Sequence, residues 1–211
     1  MVNIWLYAGI SEYLAVLAMR CTIVHMTGEN SSSADNQQER LIKIGWVLGF
    51  VDGEGCFSIS FVRQPDRLSR KGYKTGYQVG HRFVVTQGKR SLGCLYEIRD
   101  FFEVGEVYCN KRFDNHKEDL HMYYVQRRRD LLDIIIPFFR HYRMHSAKHQ
   151  DFERFAQCVE WIDRGYHLTS DGLVEIAQIA QTMNHQKPRE SLIRILRDYT
   201  PNTLRKNRVK I

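Results

Sequence analysis

From Gly55 onward the hydrophobic positions alternate. Phe57, Ile59 and Phe61 fall on one side of an extended chain and Ser58, Ser60 and Val62 on the other, which predicts a half-buried strand. A polar stretch, residues 64–76, interrupts it. The alternation then resumes over residues 77–87, with Tyr77, Val79, Phe83 and Val85 on the core side and Gln78, Arg82, Val84 and Thr86 outward. Over residues 91–103 the period lengthens, and Leu92, Leu95, Ile98 and Phe102 recur at helical spacing. Residues 105–113 and 120–126 predict a hairpin around Asp114-Asn115-His116, and residues 131–142 a further helix. Upstream of all this, Trp46-Val47-Leu48-Gly49-Phe50-Val51-Asp52-Gly53-Glu54-Gly55 reads as the end of a helix that starts near Glu39 or Arg40.

The order helix, two strands, helix, two strands, helix predicts an α+β fold: four antiparallel strands with helices on one face. Its free face carries Ser58, Ser60, Gln78, Arg82, Tyr108, Asn110, Arg112, Tyr124 and Gln126. Such side chains suit the DNA major groove, where Arg reads guanine and Asn or Gln reads adenine; they equally suit a solvated sheet. C-terminally, residues 152–165 are amphipathic, and Thr169 or Ser170 would cap a helix running toward Met183.

The first helix places Gly45, Gly49 and Gly53 four residues apart, so three bare positions line one side. Each costs about 1 kcal/mol relative to alanine, which close approach of a second helix would offset. Lys43 and the flanking charges exclude a membrane span. Asp52 and Glu54 end that helix, where the dipole is negative and carboxylates are disfavoured. A positive group is expected there. Two such ends side by side would suit a divalent cation with oxygen ligands, whereas a lone Asp-Gly-Glu-Gly turn would simply be solvated.

Charge and cysteines narrow the setting. The 211-residue chain has a net charge of +7 and a pI near 9.2, favouring a polyanionic partner. Residues 63–76 concentrate it, with Arg63, Arg67, Arg70, Lys71 and Lys74 against Asp66, a net of +4. The five cysteines, Cys21, Cys56, Cys94, Cys109 and Cys158, form no Cys-x-x-Cys pair and read as reduced. That implies an intracellular protein, in a bacterial cytoplasm or an organelle's matrix or stroma, away from membranes. Residues 1–38 read as an extension and linker, 39–200 as one domain and 201–211 as a basic tail. His141, His145 and His149 have helical metal-ligand spacing, but with Arg140, Arg143 and Lys148 among them they read as solvated or phosphate-facing rather than as a zinc site.

Val47-Leu48-Gly49-Phe50-Val51-Asp52-Gly53-Glu54-Gly55 resembles the nine-residue motif of LAGLIDADG homing endonucleases, with Gly53 in the small position and Glu54 in the last acidic one. Leu48 is larger than the alanine of the motif's name. The chain holds one copy; Thr169-Ser170-Asp171-Gly172-Leu173-Val174-Glu175 has the wrong spacing for a second. The resemblance is to the single-motif branch and covers residues 40–185. It implies an αββαββα saddle and a homodimer joined through Gly45, Leu48, Gly49 and Asp52.

The same resemblance implies hydrolysis of DNA phosphodiesters with Mg²⁺ or Mn²⁺ at Glu54 and the Gly53 carbonyl. Gln87 would position water, and Lys148, in Ser146-Ala147-Lys148-His149-Gln150-Asp151-Phe152, would be the lysine near the site. Lys89 or Arg90 would meet negative charge. With Arg63, Arg67, Arg70, Lys71 and Lys74, the free sheet face would hold a long, near-palindromic duplex. The expected function is intron homing by double-strand cleavage; an RNA maturase or a non-cleaving DNA-binding regulator are the alternatives.

Overall fold

The computed structural model describes residues 33–64, 75–111, 119–184 and 190–197. Helix α1 (Ser33–Glu54) runs straight into strand β1 (Gly55–Arg63) with no connecting loop. Gly55 makes that junction possible, because a Cβ there would lie 2.6 Å from Val51 Cγ1 and 2.7 Å from the Val51 carbonyl oxygen. The helix begins earlier than the expected start near Glu39 or Arg40, so the expected boundary at residue 38 lies within it. Asp35 suits a first turn and the following Gln, Glu and Arg residues are good helix formers, but an all-polar turn carries no hydrophobic period to reveal it.

Strand β2 (Tyr77–Gly88) returns antiparallel to β1, with Phe57 opposite Phe83 and Ser58 opposite Arg82. A 3₁₀ turn (Lys89–Ser91) leads into α2 (Leu92–Phe102), which buries Leu95, Ile98 and Phe102. Gly105, at φ +83°, then opens the way to β3 (Glu106–Asn110); a Cβ there would strike the Tyr124 carbonyl oxygen at 2.6 Å and the Tyr123 ring at 2.7 Å. Strand β4 (Leu120–Val125) closes a four-stranded antiparallel sheet of order β1-β2-β4-β3. The expected turn Asp114-Asn115-His116 lies outside the described residues.

The next helical segment, α3, has three parts: Arg128–Asp130, a π turn at Leu131–Ile135 and Ile136–His141. Pro137 has no N–H to donate and crowds the preceding turn, which accounts for the widened backbone just before it. Helix α4 (Lys148–Asp163) lies against β1, and α5 (Ser170–Gln181) begins at Thr169, whose hydroxyl accepts from the Gly172 N–H at 3.1 Å. Thr169, not Ser170, is therefore the cap. Helix α6 (Glu190–Arg197) packs on α5.

An aromatic core joins sheet and helices. Phe57 stacks on Phe83 with centroids 5.0 Å apart and meets Phe139, Phe152 and Phe155 from the helical side. Such contacts add about 0.5–1.5 kcal/mol each beyond burial. The buried Tyr123 donates its hydroxyl to the Val104 carbonyl at 2.9 Å, and burial pushes its ionisation far above the usual range. Among the described residues no helix is long and apolar enough to cross a membrane.

Candidate active site

The last four carbonyls of a helix lack partners within it. At the end of α1, Lys148, the first residue of α4, serves two of them: its ammonium donates to the Val51 carbonyl at 3.1 Å and the Gly53 carbonyl at 2.9 Å. A cation thus sits at the negative end of the dipole, the positive group that the sequence required. Half-burial lowers the Lys148 pKa, while Asp52, Cys56, Glu54 and Asp151 oppose that shift.

Asp52 fixes the turn before Lys148. Its carboxylate accepts from the backbone N–H groups of His145 and Ser146, both at 3.1 Å, and from the Ser146 hydroxyl. Ser146 Oγ in turn accepts from the Lys148 N–H at 3.1 Å. Partial burial alone would raise the Asp52 pKa, but these hydrogen bonds, Ser146 foremost, hold it below the ordinary carboxylate value. Asp52 was expected among the residues that join two subunits. Its carboxylate is engaged within its own chain, by a turn 94 residues away.

Glu54 is exposed beside this assembly. The ladder sets Val85 opposite Gly55, so Gln87 lies two residues beyond the start of β1, alongside the end of the motif. Lys89 and Arg90 follow directly in the 3₁₀ turn. Glu54, Gln87, Lys89, Arg90 and Lys148 are thereby brought to one end of the sheet. The Glu54 carboxylate and the Gly53 carbonyl are hard oxygen donors of the kind Mg²⁺ takes, and one or two carboxylates with phosphate and water complete such a shell. Among the described residues no three His, Cys, Asp or Glu side chains cluster, so the fit is that of half a site.

Sequence reasoning missed Asn184. At φ +54° it ends α5 in the left-handed region; its side-chain amide donates to the Phe57 carbonyl at 2.9 Å and its backbone N–H to Asp151 at 3.0 Å. Cys56 Sγ donates to Asn184 Oδ1 at 3.6 Å. These bonds tie the free edge of β1 to α4 around a cavity of about 640 Å³, which Gly53, Cys56, Lys148 and Asn184 help to line. Asn just past a helix favours the left-handed cap, but its partners are 33 and 127 residues distant.

Among the described residues nothing covers the glycine side of α1: Gly45, Gly49 and Gly53 are exposed, and a Cβ at any of them would meet none of those residues within 4 Å. Ile42, 64% exposed, continues this stripe toward the N-terminus, whereas Leu48 packs partly against its own core.

The other candidate surface is the sheet face away from the helices. The register puts Ser58, Ser60, Gln78, Arg82, Tyr108, Asn110 and Tyr124 on it, with Arg63 and Gln126 exposed at strand ends. The Arg82 guanidinium lies 5.6 Å from the centroid of the Tyr124 ring, and the Tyr124 hydroxyl donates to Glu106 Oε2 at 2.9 Å. Arg67, Arg70, Lys71, Lys74 and Arg112 lie outside the described residues. His141 closes α3 whereas His149 belongs to α4, so the three histidines share no helix and the ligand spacing loses its meaning.

The chain, with its helix passing straight into a four-stranded sheet, has counterparts among known proteins. The family model described as LAGLIDADG endonuclease matches residues 47–159. The chain belongs to the LAGLIDADG endonuclease family. Probable intron-encoded endonuclease 2 of Neurospora crassa is 28% identical over 138 residues, covering 65% of this chain and 26% of that protein. The homing endonuclease I-TnaI superposes with a TM-score of 0.60 at 35% identity, over 74% of this chain and 96% of its own. I-SmaMI, bound to uncleaved DNA in the presence of calcium ions, gives a TM-score of 0.60 at 28% identity, over 74% of this chain and 49% of its own. The chain spans about a quarter of the length of several curated relatives it matches. The four-stranded saddle and its helices are thus those of LAGLIDADG homing endonucleases.

Proposed function

We propose that this LAGLIDADG chain is a metal-dependent, site-specific DNA endonuclease that works as a two-fold homodimer and serves intron homing. The observation that carries the reading is the end of α1, where Glu54 and the Gly53 carbonyl stand beside a lysine held within 3 Å of that carbonyl. Two copies joined along Gly45 and Gly49 bring two such ends together, and each sheet face reads one half of a near-palindromic duplex. Intron-encoded relatives and a solved neighbour bound to DNA with calcium support this assignment.

Mg²⁺ or Mn²⁺ at Glu54 and the Gly53 carbonyl would polarise the scissile phosphate and acidify water. Gln87 holds a water by its amide, so that the water oxygen bonds to phosphorus as the bridging P–O bond breaks and the leaving oxygen takes a proton. Lys148 neutralises charge that develops on the phosphate, a role worth several kcal/mol where water is excluded. Asp52 and Ser146 keep that lysine in place. The expected DNA contacts extend from the sheet face to Arg63, Lys89 and Arg90.

The test is a pool of randomised and intron-insertion-site duplexes incubated with the protein and Mg²⁺, with and without EDTA. Metal-dependent double-strand cutting of a discrete subset is expected. Specific binding without cutting would make the protein a regulator, and stimulation of intron splicing without DNA cutting would make it a maturase.

A further inference from the structure

Glu106 stands out on the DNA-facing sheet surface because of its charge. Beside apolar positions such as Val62, Val84 and Met122, the face-sharing positions of the four strands carry Ser, Thr, Gln, Arg, Asn and Tyr, and Glu106 is the one acid among those described. A carboxylate facing a polyanion is repelled by it, unless it lies over base edges and accepts a hydrogen bond there. In the major groove, cytosine N4 offers such a donor.

The neighbours of Glu106 are arranged for that use. Tyr124 sits directly opposite it across the β3–β4 ladder and donates to Oε2 at 2.9 Å. Oε1 has no protein donor among the described residues. The same Tyr124 ring supports the Arg82 guanidinium at 5.6 Å, and Arg82 makes no ion pair among the described residues. By contrast, Arg128, Arg129 and Arg154 on the helical side are each held by a carboxylate. One phenol therefore orients an acceptor on one side and a forked donor on the other.

We infer that Glu106 is a specificity-determining residue that selects cytosine through Oε1, with Tyr124 as its positioning residue. Arg82 reads a guanine nearby. Strands β2 and β3 lie two strand spacings apart, roughly 10 Å, so the two bases fall within about three base pairs of each other in each half-site. This rests on the DNA-binding reading of the sheet face given above. It predicts a paired cytosine and guanine preference that no other pair of strand residues on that face supplies so directly.

Selection of bound duplexes from a randomised pool by the wild type, Glu106→Gln and Tyr124→Phe tests it. The wild type is expected to favour cytosine over the other bases by roughly 5- to 100-fold at one position of each half-site. Glu106→Gln loses that preference, keeps the guanine at the Arg82 position, and binds non-cognate DNA more tightly because a negative charge is gone. Tyr124→Phe keeps the ring beneath Arg82 and weakens the cytosine preference in part. A merely structural cross-strand pair would change affinity evenly and leave the base profile alone. A sharp wild-type profile that both variants reproduce overturns this inference and leaves the DNA-binding reading intact. A wild type that enriches no sequence overturns both.

Discussion

Replacing Gly49 by leucine gives opposite results for the single chain and for the pair. In the single chain the position is open among the described residues, none of which a Cβ would meet within 4 Å, and α1 is helical on both sides of it. Leucine is the better helix former by about 0.8 kcal/mol, so the isolated subunit should be as stable as the wild type or slightly more so. Across a two-fold axis each leucine instead meets a helix packed for glycine. Overpacking costs about 1–3 kcal/mol per site, or ~2–6 kcal/mol for the symmetric pair, weakening the dimer by a factor of roughly 30 to 10⁴. Sedimentation equilibrium reads the association, and urea melts at concentrations below dissociation read the subunit. The expected outcome is a folded monomer that no longer pairs or cuts DNA. Undiminished dimerisation, or a monomer destabilised by more than 1 kcal/mol, would refute the assignment of the glycine stripe.

Three further outcomes follow from the site and the core. Asp52→Asn leaves one amide oxygen for three donors and should destabilise by about 1–2 kcal/mol at pH 7, allowing for solvent access. Because the Asp52 pKa is depressed in the fold, its contribution is present above the ordinary carboxylate pKa and fades as pH falls through the folded value. The gap between variant and wild type should therefore close in acid, and equal stability at pH 7 would contradict it. Lys148→Met removes the cap of α1 and should slow cleavage by ~10²-fold or more with DNA binding largely kept, as measured by single-turnover cutting and gel shift; normal turnover would take Lys148 out of the chemistry. Burial, with Arg128 and His167 nearby, lowers the His81 pKa from 6.5 to about 4. The unfolded chain then takes the proton first as pH falls below 6.5, and that should cost about 2 kcal/mol between pH 7 and pH 5. His81→Leu should flatten the urea-melt stability over that range, and an unchanged slope would place the acid sensitivity elsewhere.

Strands β1 and β2 were legible because one face of each is buried and the other is not. Phe57 and Ile59 alternate with Ser58 and Ser60, Phe83 and Val85 with Arg82, Val84 and Thr86, and a one-residue slip would turn the buried four outward. Lys148 was legible only through its motif-like surroundings; the two carbonyls it caps lie 95 and 97 residues earlier. The hydrogen bonds of Asp52 were hidden for the same reason. Helical spacing put it near the glycine stripe, and nothing local shows that Ser146 and His145 take its carboxylate. Asn184 and Asp151 escaped notice because their work is to join α4, α5 and the edge of β1, a contact that arises only once the chain has folded. The first turns of α1 escaped because polar residues carry no period.

Glu54 is the most direct test of the whole account. On a duplex enriched by the wild type, cleavage in Mg²⁺ and equilibrium binding are measured side by side for the wild type and Glu54→Gln. The variant is expected to bind the same duplex with affinity within a few-fold and to cut neither strand. Full cutting by Glu54→Gln would contradict the placing of the metal and the chemistry at the end of α1.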